Sequence, residues 1–114
     1  MKILKVQALR GPNLWSIQRK KLIQMRLDLE EMEQNPTNKI DGFRERLETM
    51  FPAMIEHRCS EGVRGGFFMR IEKGTWMGHV IEHIALEIQT LGGMETGFGR
   101  TRETKNPRVY NVVF

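Results

Sequence analysis

Two imidazoles and a carboxylate fall within five residues at His79-Val80-Ile81-Glu82-His83. On a helix, positions i and i+4 stack and i+3 flanks them, so His79 and His83 can share one metal ion while Glu82 stays free to act on water. A third donor sits at Glu56-His57-Arg58-Cys59, and all three histidines and the only cysteine lie between positions 57 and 83. Either the Cys59 thiolate or a second-segment imidazole, with His57 in reserve, would complete a zinc site begun by two helix residues. Gly62, Gly65 and Gly66 let the chain bend between the two segments. The competing reading is a solvated polar helix face with histidines titrating near their ordinary value, Cys59 a small buried filler and His57 on the surface.

The order H-x-x-E-H is also that of the inverzincin metallopeptidases. Zinc on three protein ligands keeps a position for water and lowers its pKa to about 7; Glu82 can then take the proton and pass it to a leaving amine, which is amide hydrolysis. Leu86 and Trp76 edge the same side and are placed to exclude bulk water. A second feature, Gly97-Phe98-Gly99-Arg100-Thr101-Arg102, sets two guanidinium groups beside glycines, either as a carboxylate or phosphate holder or as a strand with exposed arginines. Neither a G-x-x-x-x-G-K-[ST] nor a G-x-G-x-x-G pattern occurs, so Gly65-Gly66 is not a phosphate loop. The eight methionines read as core packing.

The elements that must carry these groups follow from the pattern. Residues 2–9 are apolar and partly β-branched up to the turn Arg10-Gly11-Pro12-Asn13, and predict a first strand. Ile23, Met25, Leu27 and Leu29 alternate with polar residues and predict a second strand with one buried face. Residues 30–41 read as a loop that starts with a fragment of helix. Asp41 is placed to cap a helix carrying Phe43, Leu47, Met50 and Phe51 until Pro52 stops it. Met54 to Cys59 reads as strand or extended loop, and Phe67, Phe68 and Ile71 as a short helix. Thr75 then caps the main helix, which runs to Leu91 and stops at Gly92-Gly93, with Met77, Val80, Ile81, Ile84, Ile88 and Leu91 facing the core. Extended pieces at 98–102 and 108–114 flank Lys105-Asn106-Pro107 and predict a hairpin. The fold class is α+β, a mainly antiparallel sheet with two or three helices, the long one carrying His79, Glu82 and His83.

A chain of 114 residues fits one domain with a modest core. Its 39% hydrophobic and 28% charged residues and mean hydropathy of -0.45 exclude a disordered tail. No apolar run approaches the roughly 20 residues needed to span a bilayer, and the first residues lack the features of a secretory signal. With a solitary cysteine, the cytoplasm is the expected compartment and no membrane is expected as partner. The net charge of +4 and pI near 9.6 favour polyanions. Yet the basic triplet Arg19-Lys20-Lys21 faces Asp28, Glu30, Glu31 and Glu33 within a few residues, and no nucleic-acid motif or aromatic interleaving is present, so a nucleic-acid domain is a distant alternative.

Taken together, Leu9 to Asn13, Met25 to Leu29, Glu56 to Ser60, Gly65-Gly66-Phe67, Thr75 to Glu87 and Gly97 to Thr104 resemble the N-terminal domain of cyanophycin synthetase, and the likeness spans nearly the whole chain. The resemblance implies a role around cyanophycin, a polymer with an aspartate backbone and an arginine on each side-chain carboxyl. It implies that residues 1–114 are one such domain, incomplete at its C-terminal end. The ATP-grasp and Mur-ligase-like domains that use ATP and Mg2+ in that family are not expected within these 114 residues, and oligomers are expected of the full-length family. The first domain of that family is expected to hold the polymer and, in some members, to cut it into primers. This puts zinc on Cys59, His79 and His83 and the general base on Glu82. Arg100, Arg102, Arg19 and Lys20 are then expected to face the polymer's carboxylates, and Glu30 and Glu31 its guanidinium groups. The rival within this family is a non-catalytic tethering module.

Overall fold

A computed structural model describes residues 1–10, 12, 13, 15 and 21–114. Arg19, Lys20 and part of the expected turn at Arg10 to Asn13 lie outside the described residues. The described chain forms strands β1 (Lys2–Arg10) and β2 (Lys21–Asp28), helices α1 (Phe43–Met50), α2 (Gly66–Lys73) and α3 (Met77–Leu91), and strands β3 (Arg100–Glu103) and β4 (Val109–Val113). All strand pairs are antiparallel and the sheet order is β1-β2-β4-β3. The α+β class, both expected hairpin strands and the end of α3 at Gly92 agree with the sequence reading.

The loop after β2 holds short 3-10 segments at Glu30–Gln34 and Thr37–Lys39. Two further ones, Pro52–Glu56 and Cys59–Glu61, occupy the stretch read as strand or extended loop. Among the described residues no strand is paired with that stretch; its turns satisfy its backbone locally instead, with His57 N bonded to Met54 O at 3.0 Å.

One apolar cluster joins Leu47 of α1, Met54, the α2 residues Phe67, Phe68 and Ile71, and Val80 of α3. Each such buried side chain contributes about 1.5–3 kcal/mol of transfer free energy. On the other side of α3, Tyr110 and Val112, which share one face of β4, are buried, the Tyr110 ring lying against Gly78 of the helix. The helix is therefore held between two layers, and this corrects the expected apolar stripe. Val80 is fully buried and Ile81 and Ile84 partly so, but Ile88 and Leu91 are exposed, while the polar Glu82, His83 and Glu87 are buried. A helix covered on two sides has little face left for water, so its carboxylates and imidazoles enter the interior.

Four smaller expectations also change. Gly42, not Asp41, occupies the cap position of α1, and no side chain caps it. Trp76 precedes α3, and Thr75 directs its hydroxyl to a histidine ring instead of capping. Of the second strand's apolar set, Leu27 and Leu29 are buried whereas Ile23 is exposed, and at that end of the strand it is Leu22, on the opposite face, that is buried. The methionines are not all core either, since Met1, Met50, Met69 and Met94 are exposed.

Candidate metal centre

The donors come from two places. Cys59 opens a 3-10 turn, and His79 and His83 lie one helical turn apart on α3. The turn is pressed against α2 at Gly66, where any Cβ would overlap the carbonyl oxygen of Arg58, the residue before Cys59. Only glycine permits that approach. Cys59 itself has φ of 51°, a left-handed backbone that is uncommon outside glycine and costs on the order of 1–3 kcal/mol. The N-terminal end of α3 is pinned through Thr75, whose N–H donates to Thr37 Oγ1 at 2.9 Å.

Cys59 Sγ lies 3.3 Å from His79 Nε2, which lies 3.1 Å from His83 Nε2. The three donor atoms all fall within 4.8 Å of one another. Zinc bonds of about 2.0–2.3 Å in a tetrahedron separate neighbouring donors by about 3.3–3.6 Å; the separations from His79 Nε2 to the sulfur and to His83 Nε2 lie close to that edge, and the N,N,S donor set suits that ion. The far nitrogens of both rings are engaged: His79 Nδ1 with Thr75 Oγ1 at 2.9 Å, and His83 Nδ1 with His57 Nδ1 at 2.9 Å. His57 Nε2 in turn meets Glu87 Oε2 at 2.9 Å. His57 is thus partly buried and is not the surface residue the alternative reading supposed. Such outer partners fix ring orientation in metal sites.

Phe67 forms the apolar wall. Its ring stacks on His83 at 4.0 Å between centroids and meets His79 edge-on at 5.9 Å. Burial, with the Arg70 charge adding to it, lowers the His79 pKa to about 4. Burial, followed by the neighbouring imidazoles, lowers that of His83 to about 3. Both rings are therefore neutral at pH 7, the form in which imidazole binds metal.

The donors open onto a cleft of about 650 Å³ that also takes in Glu82, Arg70, Trp76, Leu86, Arg100 and Tyr110. Glu82 Oε2 accepts a hydrogen bond from Thr101 Oγ1 at 2.6 Å. Burial raises the Glu82 pKa, and the Thr101 bond and the Arg100 charge oppose it. A carboxylate shifted upward from its usual range is suited to general-base work near neutrality. Gly99 makes room for it, since a Cβ there would lie 2.6 Å from Glu82 Oε1.

The structure brings Cys59, His79, His83, Glu82 and Arg100 into this one cleft, with Leu86 and Trp76 at its walls. Arg102 is exposed and does not line it. Glu30 is ion-paired with the Met1 amino group and Lys2, and with Glu31 it lines a separate recess. Sequence reasoning missed Arg70, Thr75, Thr101 and Tyr110. Thr75 did carry a signal, because it precedes His79 by four residues, the spacing that lets its hydroxyl reach the ring.

Among the described residues, no helix is long and apolar enough to cross a membrane. A family model described as the cyanophycin synthase-like N-terminal domain matches residues 24–114. The chain is 62% identical over 114 residues to a cyanophycin synthetase of Geminocystis herdmanii, 60% over 114 residues to one of Synechocystis and 58% over 113 residues to one of Trichormus variabilis. These alignments cover 100%, 100% and 99% of the chain but only 13%, 13% and 12% of the relatives' own lengths. On the extent of the family match and the level of identity, the chain belongs to the family of cyanophycin synthase-like N-terminal domains.

Proposed function

We propose that this domain grips cyanophycin and cuts its amide bonds at a zinc site, as an accessory to an ATP-dependent synthetase that joins aspartate and arginine. One observation carries the reading: Cys59 Sγ, His79 Nε2 and His83 Nε2 converge within 4.8 Å in the cleft that also holds the buried Glu82. Zinc bound to those three atoms would supply a Lewis acid and a water of lowered pKa.

The remaining chemistry belongs to the side chains. Glu82 accepts a proton from the attacking water as oxygen bonds to the amide carbon, and it delivers that proton to the nitrogen as the C–N bond breaks. Thr101 holds one oxygen of Glu82, leaving the other for the transfer. Arg70 and Arg100 line the cleft and form no close ion pair among the described residues, and they suit the carboxylates along an aspartate-arginine polymer. Trp76 and Leu86 limit entry of bulk water. The other domains of such a synthetase are the proposed partners, and the cytoplasm, where the substrates of an ATP-dependent ligase are found, is the proposed compartment.

Metal analysis of untagged protein together with a chromatographic assay of polymer length tests this. One zinc per chain, polymer shortening by the parent protein and a loss of about 100-fold or more in Glu82→Gln are expected. Equal shortening by both proteins removes Glu82 as base. Zinc-free protein that still retains polymer leaves a tethering module.

A further inference from the structure

His57 and Glu87 take no part in the proton transfer above, yet both are packed against the donor cluster. We infer that they are positioning residues: a Glu87–His57 pair that fixes the tautomer of His83 and leaves the Nε2 lone pair of His83 facing the metal position. The inference rests on the zinc reading of the preceding section and extends it beyond the three ligands.

The Glu87 side chain is only 5% exposed, and its Oε2 lies 2.9 Å from His57 Nε2. An ionised carboxylate can only accept, so His57 Nε2 carries a proton and donates it. The other nitrogen of His57 meets His83 Nδ1 at 2.9 Å, and one of these two atoms must donate to the other. A neutral His57 has already placed its single proton on Nε2, so its Nδ1 accepts and His83 Nδ1 donates. With its proton on Nδ1, His83 keeps Nε2 bare, 3.1 Å from His79 Nε2. A doubly protonated His57 would reverse the last link and put the His83 proton on Nε2, closing that atom to a metal. It would also set a cation one ring away from a position that has to accept a dication.

The same logic explains why Glu87 is buried on a face of α3 that an amphipathic helix would leave to water. Eight residues separate it from His79 and four from His83, so the helix stacks the carboxylate on the ligand row. His57 then bridges Glu87 to His83 from the end of the Pro52–Glu56 segment, two residues before Cys59. Phe67 closes the bridge on one side, its ring 6.3 Å from that of His57 and stacked on that of His83. One carboxylate thereby ties together the two segments that supply ligands.

Long-range 15N–1H correlation spectra of the imidazoles in zinc-free protein, paired with chelator competition for zinc affinity, test the inference. In the wild-type spectrum the His83 proton is expected on Nδ1. Glu87→Gln keeps the shape but adds an amide donor that can face His57 Nε2; it is expected to move His83 toward the Nε2-protonated tautomer and to weaken zinc binding about 10–100-fold. Glu87→Asp, which retains an acceptor, is expected to recover part of that loss. Wild-type His83 protonated on Nε2, or unchanged zinc affinity in Glu87→Gln, overturns the pairing. The wild-type spectrum decides the tautomer on its own, so a variant that fails to fold does not shelter the inference. A wild type that takes up no zinc fails the preceding reading instead, and is recognised by the absence of competition in every protein tested.

Discussion

Thr101 donates its hydroxyl to Glu82 across 2.6 Å, joining a border strand to the middle of the long helix. The bond favours the ionised carboxylate and so opposes the burial that raises the Glu82 pKa. Thr101→Val removes the donor and keeps the shape. Glu82 then stays protonated to higher pH, and a base must be deprotonated to act. The acid limb of a cleavage pH profile should move upward while zinc content is unchanged. An acid limb in its original place would separate Thr101 from the chemistry.

Cys59→Ala should abolish stoichiometric zinc, with a fall in affinity of more than about 100-fold in chelator competition. Fold stability of the zinc-free protein should change little, because Cys59 is only partly buried. Retention of zinc at parental affinity would show that the thiolate is not a ligand.

Gly66→Ala should cost about 2–4 kcal/mol in denaturant unfolding, since its methyl would meet a backbone carbonyl and not a movable side-chain tip. The carbonyl belongs to Arg58, so relief of the clash displaces Cys59. Weaker zinc binding should accompany the loss of stability, and a destabilised variant with intact affinity would uncouple the two.

Zinc-free protein should lose stability in mild acid. The unfolded chain binds protons at its histidines near the ordinary pKa of 6.5, whereas His79 and His83 in the fold do so only near about 4 and 3. Between those limits the unfolded state holds more protons, so stability is complete above about pH 7 and falls as pH drops through 6.5 toward 4. At pH 5 the loss is on the order of 1–2 kcal/mol per imidazole. Thermal unfolding at pH 7 and pH 5 measures it, and equal Tm values would mean that the rings titrate freely.

How much of this was legible in the sequence depends on the range of the interaction concerned. The spacing of His79 and His83 on one helix, the existence of strand β2 and the hairpin around Pro107 are local patterns, and they were read correctly, although the single buried face expected of β2 was not found. The burial of that helix's polar face was not, because hydrophobic periodicity assumes one covered side and α3 has two. The meeting of Cys59 with His79 needed the Arg58–Gly66 approach, which joins segments through a backbone contact that leaves no mark in composition. Thr101 and Arg70 reach the cleft from other elements, and only the tertiary fold brings them there.

The strand order has a practical corollary. β1 and β3 are opposite borders of the sheet, on the order of 14 Å apart for three strand spacings, and Glu82 hangs from the β3 side. Lys5 on β1 is exposed and remote from the thiol and the imidazoles. A fluorophore or a surface linkage attached there reports on polymer capture without touching the groups that would do the cutting.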